Sequence, residues 1–527
     1  MLDSLADNAR CVVIVPQSAM VGKTSEDKSD KKYILDNHTL EGVITLNPQT
    51  FYGVGTNPVI AVFTAHKPHD KNKLVKFVDF KNDGYEVFPH IGLLATPDAP
   101  DRKKFLLRCW HEGMTAPTSF IIRTEIKADD EWLHSFYYFN EEIPTEKDFE
   151  KTMADYLTFE FNMIVHGRDY LFDGEKKNSP LTENLPTLES KTWKDFFIED
   201  VTEIVSGKNI NAEDRAAGKI PYISASANNN GVTDFVSNRN ETIEENCISV
   251  NSNGSVGYSF FHPYSALYSG DCKKLRPKIK NKYISIFITQ QIALQREKYG
   301  YGYKMGTVRL KRQKILLPVT ELGEPDYKFM ENFMRSLENR LLNLYKNYIE
   351  RQIEKNFVMH ADKKVWKEFY VGEIFEIKSG VRLTKNDMQA GKIPFIGALD
   401  NNNGVVDFVS NKNSSLDKNV LGVNYDGNGM VMSFYHQYEA LFSDSVKRFH
   451  LKNHADDKYI LLFIKNSILQ QKIKFQYGYK FNASRMARQK ILLPVDEKDL
   501  PDWEYMEKYM RVQENLLLKK YFDKKLA

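Results

Sequence analysis

Three kinds of residue in this 527-residue chain could do chemistry. The first is acidic. Pro97-Asp98, followed by Glu125-Ile126-Lys127, has the order of a nuclease site in which paired carboxylates hold Mg²⁺ and a lysine helps to activate water. With 70 acidic residues in the chain, short patterns of this kind also arise by chance, and solvated surface charge is the competing reading. The second is His262 and its counterpart His436. No carboxylate or cysteine stands at a telling spacing from either, so both read as packing or hydrogen-bonding histidines. The third is basic and aromatic: Lys298-Tyr299-Gly300-Tyr301-Gly302-Tyr303-Lys304, then Arg309, Lys311 and Arg312. Its twin is Lys472, Lys474, Tyr477-Gly478-Tyr479-Lys480, then Asn482, Arg485 and Arg488. Lysine and arginine neutralise phosphates, and glycine lets a backbone approach closely. An arginine at a base edge could also read guanine. A solvated basic surface would have the same composition.

These twins belong to a longer duplication. Trp193-Lys194-Asp195-Phe196 returns as Trp366-Lys367-Glu368-Phe369, an offset of 173 (366 minus 193). Gly218-Lys219-Ile220-Pro221 returns as Gly391-Lys392-Ile393-Pro394 at the same offset. Arg312 to Val319 matches Arg488 to Val495 without a change at 176, so about three residues are inserted in the second copy. The period is that of a small domain and far exceeds a solenoid repeat. Each copy carries a Ser-Gly turn, Ser206-Gly207 or Ser379-Gly380, with Lys208 just after the first and Arg382 just past the second. Each also carries a triple asparagine before glycine: Asn228-Asn229-Asn230-Gly231 and Asn401-Asn402-Asn403-Gly404. Asn-Gly favours the positive backbone angles of tight turns. Asparagine side chains also pair with adenine edges in the major groove. A projecting loop can do both.

The elements that must position these groups follow from pattern. Ile220-Pro221-Tyr222-Ile223 reads as a short strand with proline at its edge. Tyr283 to Arg296 reads as a helix. After each copy, Pro325-Asp326 or Pro501-Asp502 starts a long helix, aspartate being a good cap. Met330, Met334, Leu337, Leu341, Leu344 and Tyr348 step by four and three, a heptad seam. Met506, Met510, Gln513 and Leu517 repeat it more weakly, and that helix is expected to be shorter. Two such helices can pair antiparallel and hold the domains apart.

Net charge is only +3, from 73 basic and 70 acidic residues, which neither demands nor excludes nucleic acid. Cys11, Cys109, Cys247 and Cys272 show no CxxC spacing and read as free thiols of a reducing cytosol, without structural zinc. No apolar run approaches membrane-helix length and no signal peptide is visible, so a cytoplasmic location without membrane contact is expected. Near the N-terminus, Cys11–Val15, Gly42–Leu46 and Pro58–Phe63 are β-rich runs, with a helical piece around Lys31 to His38 between the first two. That alternation predicts a mostly parallel, buried sheet. Thr145 caps a closing helix that presents Phe149, Met153, Tyr156, Leu157 and Phe161 on one face.

Two resemblances follow. Val15-Pro16-Gln17-Ser18, Leu40 to Leu46, Phe51 to Asn57, Ala65-His66-Lys67-Pro68-His69 and Lys81 to Tyr85 resemble the back half of the N6-adenine DNA methyltransferase subunit of type I restriction-modification systems. That family carries a glycine-rich loop for S-adenosylmethionine and an Asn/Asp-Pro-Pro-aromatic loop for the flipped adenine, and neither occurs here. Asn47-Pro48-Gln49-Thr50 lacks the second proline and the aromatic residue, and reads as a strand-ending turn. The chain is therefore expected to begin just after the active half. Residues 193–527 resemble type I specificity (S) subunits: Trp193, Glu203-Ile204, Ser206-Gly207 and Ile315-Leu316-Leu317-Pro318 in one copy, and Trp366, Glu376-Ile377, Ser379-Gly380 and Ile491-Leu492-Leu493-Pro494 in the other.

The resemblances imply an α/β and α+β multidomain chain: a truncated methyltransferase-like parallel sheet over 1–171, a linker over 172–191, and target-recognition domains at 192–320 and 365–496. Each domain is followed by a coiled-coil-like spacer helix, at 324–357 and 501–526. They imply double-stranded DNA, methyltransferase (M) subunits and a restriction (R) subunit as partners, with two similar but not identical half-sites read from the major groove. S-adenosylmethionine is expected on the partner, with no cofactor or metal on this chain. The rivals are an endonuclease using Glu125 and Lys127, a complete methyltransferase-specificity enzyme, and a scaffold that does not bind DNA.

Overall fold

The computed structural model of the chain describes all residues except 23, 52–55, 89–90, 173–186, 301–303, 354–363, 428, 477 and 526–527. It divides into two compact units, Lys177–Glu350 on the one hand and Met1–Lys176 together with Arg351–Ala527 on the other. The second grouping is not visible in the sequence, where the N-terminal region reads as a domain by itself.

The N-terminal region is built from β1 (Arg10–Pro16), α1 (Gln17–Val21), α2 (Ser25–Asn37), β2 (Thr39–Leu46), β3 (Pro58–Thr64), β4 (Val75–Phe80), a hairpin of β5 (Tyr85–Phe88) and β6 (Gly92–Ala95), α3 (Ala99–His111), β7 (Ile121–Thr124), α4 (His134–Tyr137) and α5 (Glu146–Val165). Its sheet runs β1-β3-β2-β4-β7. Only β2 and β4 pair parallel; the other three pairs are antiparallel. The expected mostly parallel sheet is thus corrected. A helix does separate β1 from β2, but those strands are not neighbours: β3 enters between them, antiparallel to both. Asn47 is a structural turn residue. Its side-chain amide donates to Asp83 and to the Tyr85 carbonyl, while its oxygen accepts from the Gln49 amide.

The first repeat is β8 (Trp193–Phe197), α6 (Ile198–Val201), β9 (Thr202–Ser206), β10 (Ala217–Ile223), β11 (Val232–Val236), β12 (Cys247–Asn251), β13 (Ser259–His262), β14 (Leu267–Tyr268), β15 (Cys272–Pro277), α7 (Lys282–Ala293), α8 (Thr307–Lys311) and β16 (Lys314–Pro318), followed by α9 (Tyr327–Ile353). The second is β17 (Trp366–Tyr370), α10 (Val371–Ile374), β18 (Phe375–Ser379), β19 (Ala390–Ile396), β20 (Val405–Val409), β21 (Val420–Asn424), β22 (Ser433–His436), β23 (Leu441–Phe442), β24 (Val446–Leu451), α11 (Lys458–Leu469), α12 (Ala483–Arg488) and β25 (Lys490–Pro494), followed by α13 (Trp503–Lys525). The topologies are the same. Sheet β13-β12-β15-β9 corresponds to β22-β21-β24-β18, β11-β10-β14 to β20-β19-β23, and β8-β16 to β17-β25. Pro221 lies in a strand paired on both sides. It is tolerated because β14 meets β10 only at Tyr222 and Ile223, beyond the proline.

Each long helix is fastened to its own repeat by the same device. Tyr283 donates to Glu338 on α9 at 2.6 Å, and Tyr459 to Glu514 on α13 at 2.7 Å, with Lys282 and Lys458 paired to the same carboxylates. The second helix is the shorter, 23 residues against 27. Helix α5, capped by Thr145 through a reciprocal box with Asp148, packs against α11 and α13. Phe149 stacks on Phe463 with ring centres 4.5 Å apart, and Thr152 donates to Asn466 at 2.7 Å.

His262 and His436 are fully buried, and burial pushes their pKa values down to about 4 and about 3. His262 meets the Ser249 hydroxyl at 2.8 Å, whereas His436 Nε2 has no protein partner. Both folded values lie below the ~6.5 of an unfolded histidine, so the unfolded chain binds more protons. Stability is therefore present above about pH 6.5 and lost as pH falls toward 4, by at most about 1.4 kcal/mol per pH unit per histidine. His436→Phe should flatten the fall in thermal midpoint between pH 7 and pH 5; an unaltered slope would count against a neutral buried imidazole.

Candidate nucleic-acid interface

Four loops cluster at one end of each repeat. In the first they are the Ser-Gly turn after β9, the asparagine loop after β10, the glycine-containing loop after β12 and the β14–β15 turn. Backbone and side-chain bonds tie them together: Lys208 N to Tyr268 O at 2.9 Å, Ser269 N to Ile223 O at 2.8 Å, Asn251 Nδ2 to Ser226 O at 2.8 Å, and Ser252 N to Asp271 O at 2.9 Å. The second repeat reproduces them with Val381 N to Phe442 O at 2.9 Å, Ser443 N to Ile396 O at 2.9 Å, Asn424 Nδ2 to Leu399 O at 2.7 Å and Tyr425 N to Ser445 O at 3.1 Å. The Ser-Gly turn needs its glycine. A Cβ on Gly207 would collide with the Ser269 carbonyl oxygen, and one on Gly380 with that of Ser443.

The triple asparagines divide their work. Asn229, Asn230 and Gly231 all take positive φ (51°, 55°, 75°), as do Asn402, Asn403 and Gly404 (48°, 49°, 75°). Asparagine and glycine are the residues that tolerate this region best. The Asn230 amide donates to Phe261 O and to the Tyr264 hydroxyl; that of Asn403 donates to Tyr435 O and to the Tyr438 hydroxyl. Asn403 is buried, which corrects its assignment to DNA. Asn402 donates to its own turn at Val405 O. Asn228, Asn229, Asn401 and Asn402 are exposed.

Basic side chains ring these loops. Lys208 is exposed and paired to Glu241 at 3.0 Å, and Arg382 is exposed. Lys273 and Lys447 donate to Ser206 and Ser379, each at 3.1 Å, and flank the loops at matching places. Lys447 and Lys480 both lie over the Tyr425 ring, and Lys480 is 3.5 Å from Asp426. Sequence reasoning missed Lys273 and Lys447. The signal was there, since they match at an offset of 174 (447 minus 273), but only once the one-residue insertion before β22 is allowed for.

The basic strip that ends each repeat behaves differently in the two copies. In the second, Asn482 caps α12 by accepting from Arg485 N at 3.0 Å. Arg485 is buried and bonded to Glu131 at 3.0–3.3 Å, its guanidinium 3.8 Å from the centre of the Tyr479 ring. Arg488 pairs with the same carboxylate and covers Phe136. Burial alone would raise the Glu131 pKa; the two guanidiniums outweigh it and hold the group below the usual carboxylate range. Lys474 is buried and donates to Tyr138 O at 2.8 Å. Tyr479, Arg485 and Arg488 therefore hold the N-terminal region, and their expected role as DNA contacts is corrected. Glu131 is held ready by Trp132, whose backbone amide donates to Met20 O, and by Lys31, which donates to Asp130 O and lies over the Trp132 ring. In the first repeat Lys304, Arg309, Lys311 and Arg312 are exposed, with Lys311 3.8 Å from Glu199. Tyr301, Tyr303 and Tyr477 lie outside the described residues.

Two residues of the nuclease-like pattern have local partners. Asp98 is tied to Thr96 and Arg102, and Lys127 N donates to Asp130. Among the described residues no group of three or more His, Cys, Asp or Glu side chains is arranged to hold a metal ion, and no helix is long and apolar enough to cross a membrane.

Residues 190–346 and 363–520 match the family model described as type I restriction modification DNA specificity domain. The chain belongs to that family. Residues 1–90 match the N-6 DNA methylase model. The specificity subunit S.BcgI of a type II restriction enzyme from Heyndrickxia coagulans is 40% identical over 340 residues, covering 63% of this chain and 97% of that protein. The restriction enzyme and methyltransferase RM.BcgI of the same organism is 49% identical over 177 residues, 34% of this chain but only 28% of that protein. The S subunit of the type I system of M. genitalium has 17% identity and a TM-score of 0.37 over 63% of this chain and 91% of that one, a likeness too loose to argue from. The specificity family thus accounts for both repeats with their helices, and a methylase-type region precedes them.

Removing Glu131 leaves a buried guanidinium unpaired, which costs about 3–5 kcal/mol. Glu131→Ala should lower the unfolding midpoint of the unit formed by the N-terminal region and the second repeat, and speed proteolysis between residues 128 and 172. Unaltered cleavage there would show that the cluster does not hold the two together.

Proposed function

We propose that this chain is the DNA-reading component of a restriction-modification complex, each repeat gripping one half of a split duplex site. The observation that carries the reading is the double occurrence of one loop constellation: an exposed asparagine at the tip (Asn228, Asn401), a glycine-tight turn followed by a cation (Lys208, Arg382), and a flanking lysine (Lys273, Lys447). Lys304 and Lys480, with Asn229 and Asn402, extend the same ends. These lysines and Arg382 neutralise phosphates and position the domain, while asparagine amides specify adenine at base edges. Helices α9 and α13, each locked to its own repeat, serve as spacers that set the gap between half-sites.

Chemistry on the DNA belongs to partners. Asn47 is consumed in a turn, so methylation of adenine N6 is assigned to methyltransferase subunits that carry S-adenosylmethionine, and cleavage to a restriction activity in the same complex. The N-terminal region, packed on the second repeat through α5 and Glu131, is read as a methyltransferase tail seated on a specificity domain.

Duplex selection from a randomised pool should return a bipartite site with similar, non-identical halves; a single contiguous site or no enrichment would sink the reading. Asn228→Ala and Asn401→Ala should each relax one half-site by about 1–3 kcal/mol of discrimination. Lys273→Ala and Lys447→Ala should weaken all duplexes about equally and lower the slope of log affinity against log salt by about one each.

A further inference from the structure

The second repeat shows what its basic strip is for: the face formed by Gln471, Lys474, Tyr479, Arg485 and Arg488 is covered by protein. Arg485 is 6% exposed and Gln471 1%. Gln471 donates to Asn140 O at 2.8 Å and accepts from Asn140 N at 3.2 Å. The first repeat carries the same face 176 residues earlier as Gln295, Lys298, Arg309 and Arg312. Its central arginine is posed in the same way: Arg309 Nη1 donates to Lys304 O at 2.8 Å, as Arg485 Nη1 does to Lys480 O at 2.8 Å. Yet Lys298, Arg309 and Arg312 are exposed, and beside them Leu294 is 61% and Val308 66% exposed.

We propose that this face of the first repeat, with Arg309 and Arg312 at its centre, docks a separate polypeptide: the tail of a methyltransferase of the same kind as residues 115–171 of this chain. The proposal rests on the reading above and adds a surface and its recognition chemistry. The occupant presents a carboxylate between the two guanidiniums, where Glu131 stands in the second repeat. Bidentate arginine–carboxylate geometry, an arginine already oriented by a backbone carbonyl, and flanking apolar side chains suit a protein surface. A phosphate backbone would satisfy the arginines but leave Leu294 in water.

The two faces are not copies at their edges. Asn466, which accepts from Thr152, is matched by Gln290, and Gln470, whose carbonyl accepts from Asn140, is matched by Leu294. Leu294 keeps the main-chain carbonyl that takes the Asn140 amide in the second repeat and adds an exposed apolar side chain, which the docked tail meets with an apolar group beside the central carboxylate.

The full chain is titrated with the full-length restriction-and-methyltransferase relative described above, and complex mass and affinity are measured with and without a selected duplex. Wild type is expected to bind the enzyme. Arg309→Glu with Arg312→Glu is expected to weaken that binding at least tenfold, with an unaltered melting midpoint and unaltered DNA affinity. Leu294→Asp is expected to weaken it as well. Enzyme binding that is absent in wild type, or unmoved by the double charge reversal, overturns the proposal. So does a double reversal that lowers DNA affinity and spares the enzyme, since the arginines then face phosphates. A chain that binds the enzyme but enriches no duplex leaves this docking standing and removes the DNA reading, so the two failures are separable.

Discussion

One buried carboxylate decides how half of this molecule is put together. Glu131 comes from the N-terminal region, and Arg485 and Arg488 from the end of the second repeat. Removing Glu131 and Arg485 from water is costly, and such a pair is retained only where geometry satisfies it. Here it does. Arg485 bonds both carboxylate oxygens, gives a further bond to the Lys480 carbonyl and lies on Tyr479, while Arg488 lies on Phe136. The apolar seam of α5 against α11 and α13 supplies the burial; the ion cluster supplies the register, because a slid helix would strand a guanidinium in the interior. This constraint also takes Arg485 and Arg488 out of any reading of DNA.

Around it, the two repeats keep one frame through devices that backbone geometry enforces. The Ser-Gly turns persist because carbonyl oxygens occupy the space a side chain would need, and the Asn-Asn-Gly turns because three consecutive residues are left-handed. The Tyr–Glu contacts that fasten α9 and α13 persist because they fix helix to domain. Variation gathers elsewhere, as in the loops after β12 and β21, which differ by one residue in length between otherwise matched strands. The frame is thus held constant while the loop tips differ between the two copies.

The sequence showed the duplication, the strand and helix content of each repeat, the cap of α5 and the spacing of the loops, since all of these are local or repeat at fixed offset. It misled where partners are distant. The order β1-β3-β2 depends on where β3 inserts, and the helix between β1 and β2 pointed to a parallel crossover that does not form. A Lys/Tyr/Gly/Arg strip reads alike whether it faces phosphate or a buried glutamate, so Arg485 and Arg309 were indistinguishable until burial separated them. Glu131 had no pattern to mark it: a lone acid before Trp132 becomes visible only through what it meets more than 350 residues later. The triple asparagines were half legible, with turn-forming recognised but the split between pinned and exposed side chains hidden.

A smaller asymmetry sits at the buried histidines. Ser249 in the first repeat bonds His262; its counterpart is Gly422, and the facing His436 is left with an unpartnered nitrogen. A serine there would crowd the imidazole, because a Cβ at Gly422 would lie 2.9 Å from His436 Nε2. The second repeat thus packs closely around its histidine and lacks the hydrogen bond that the first repeat makes. Across from this strand α5 presses in, Tyr156 against Tyr435 and Phe159 against Tyr438, the neighbours of that histidine. A domain that carries a permanent tail can recover a lost internal bond from the burial the tail provides. The first repeat has no such cover over its described residues in its own unit, and it keeps the bond.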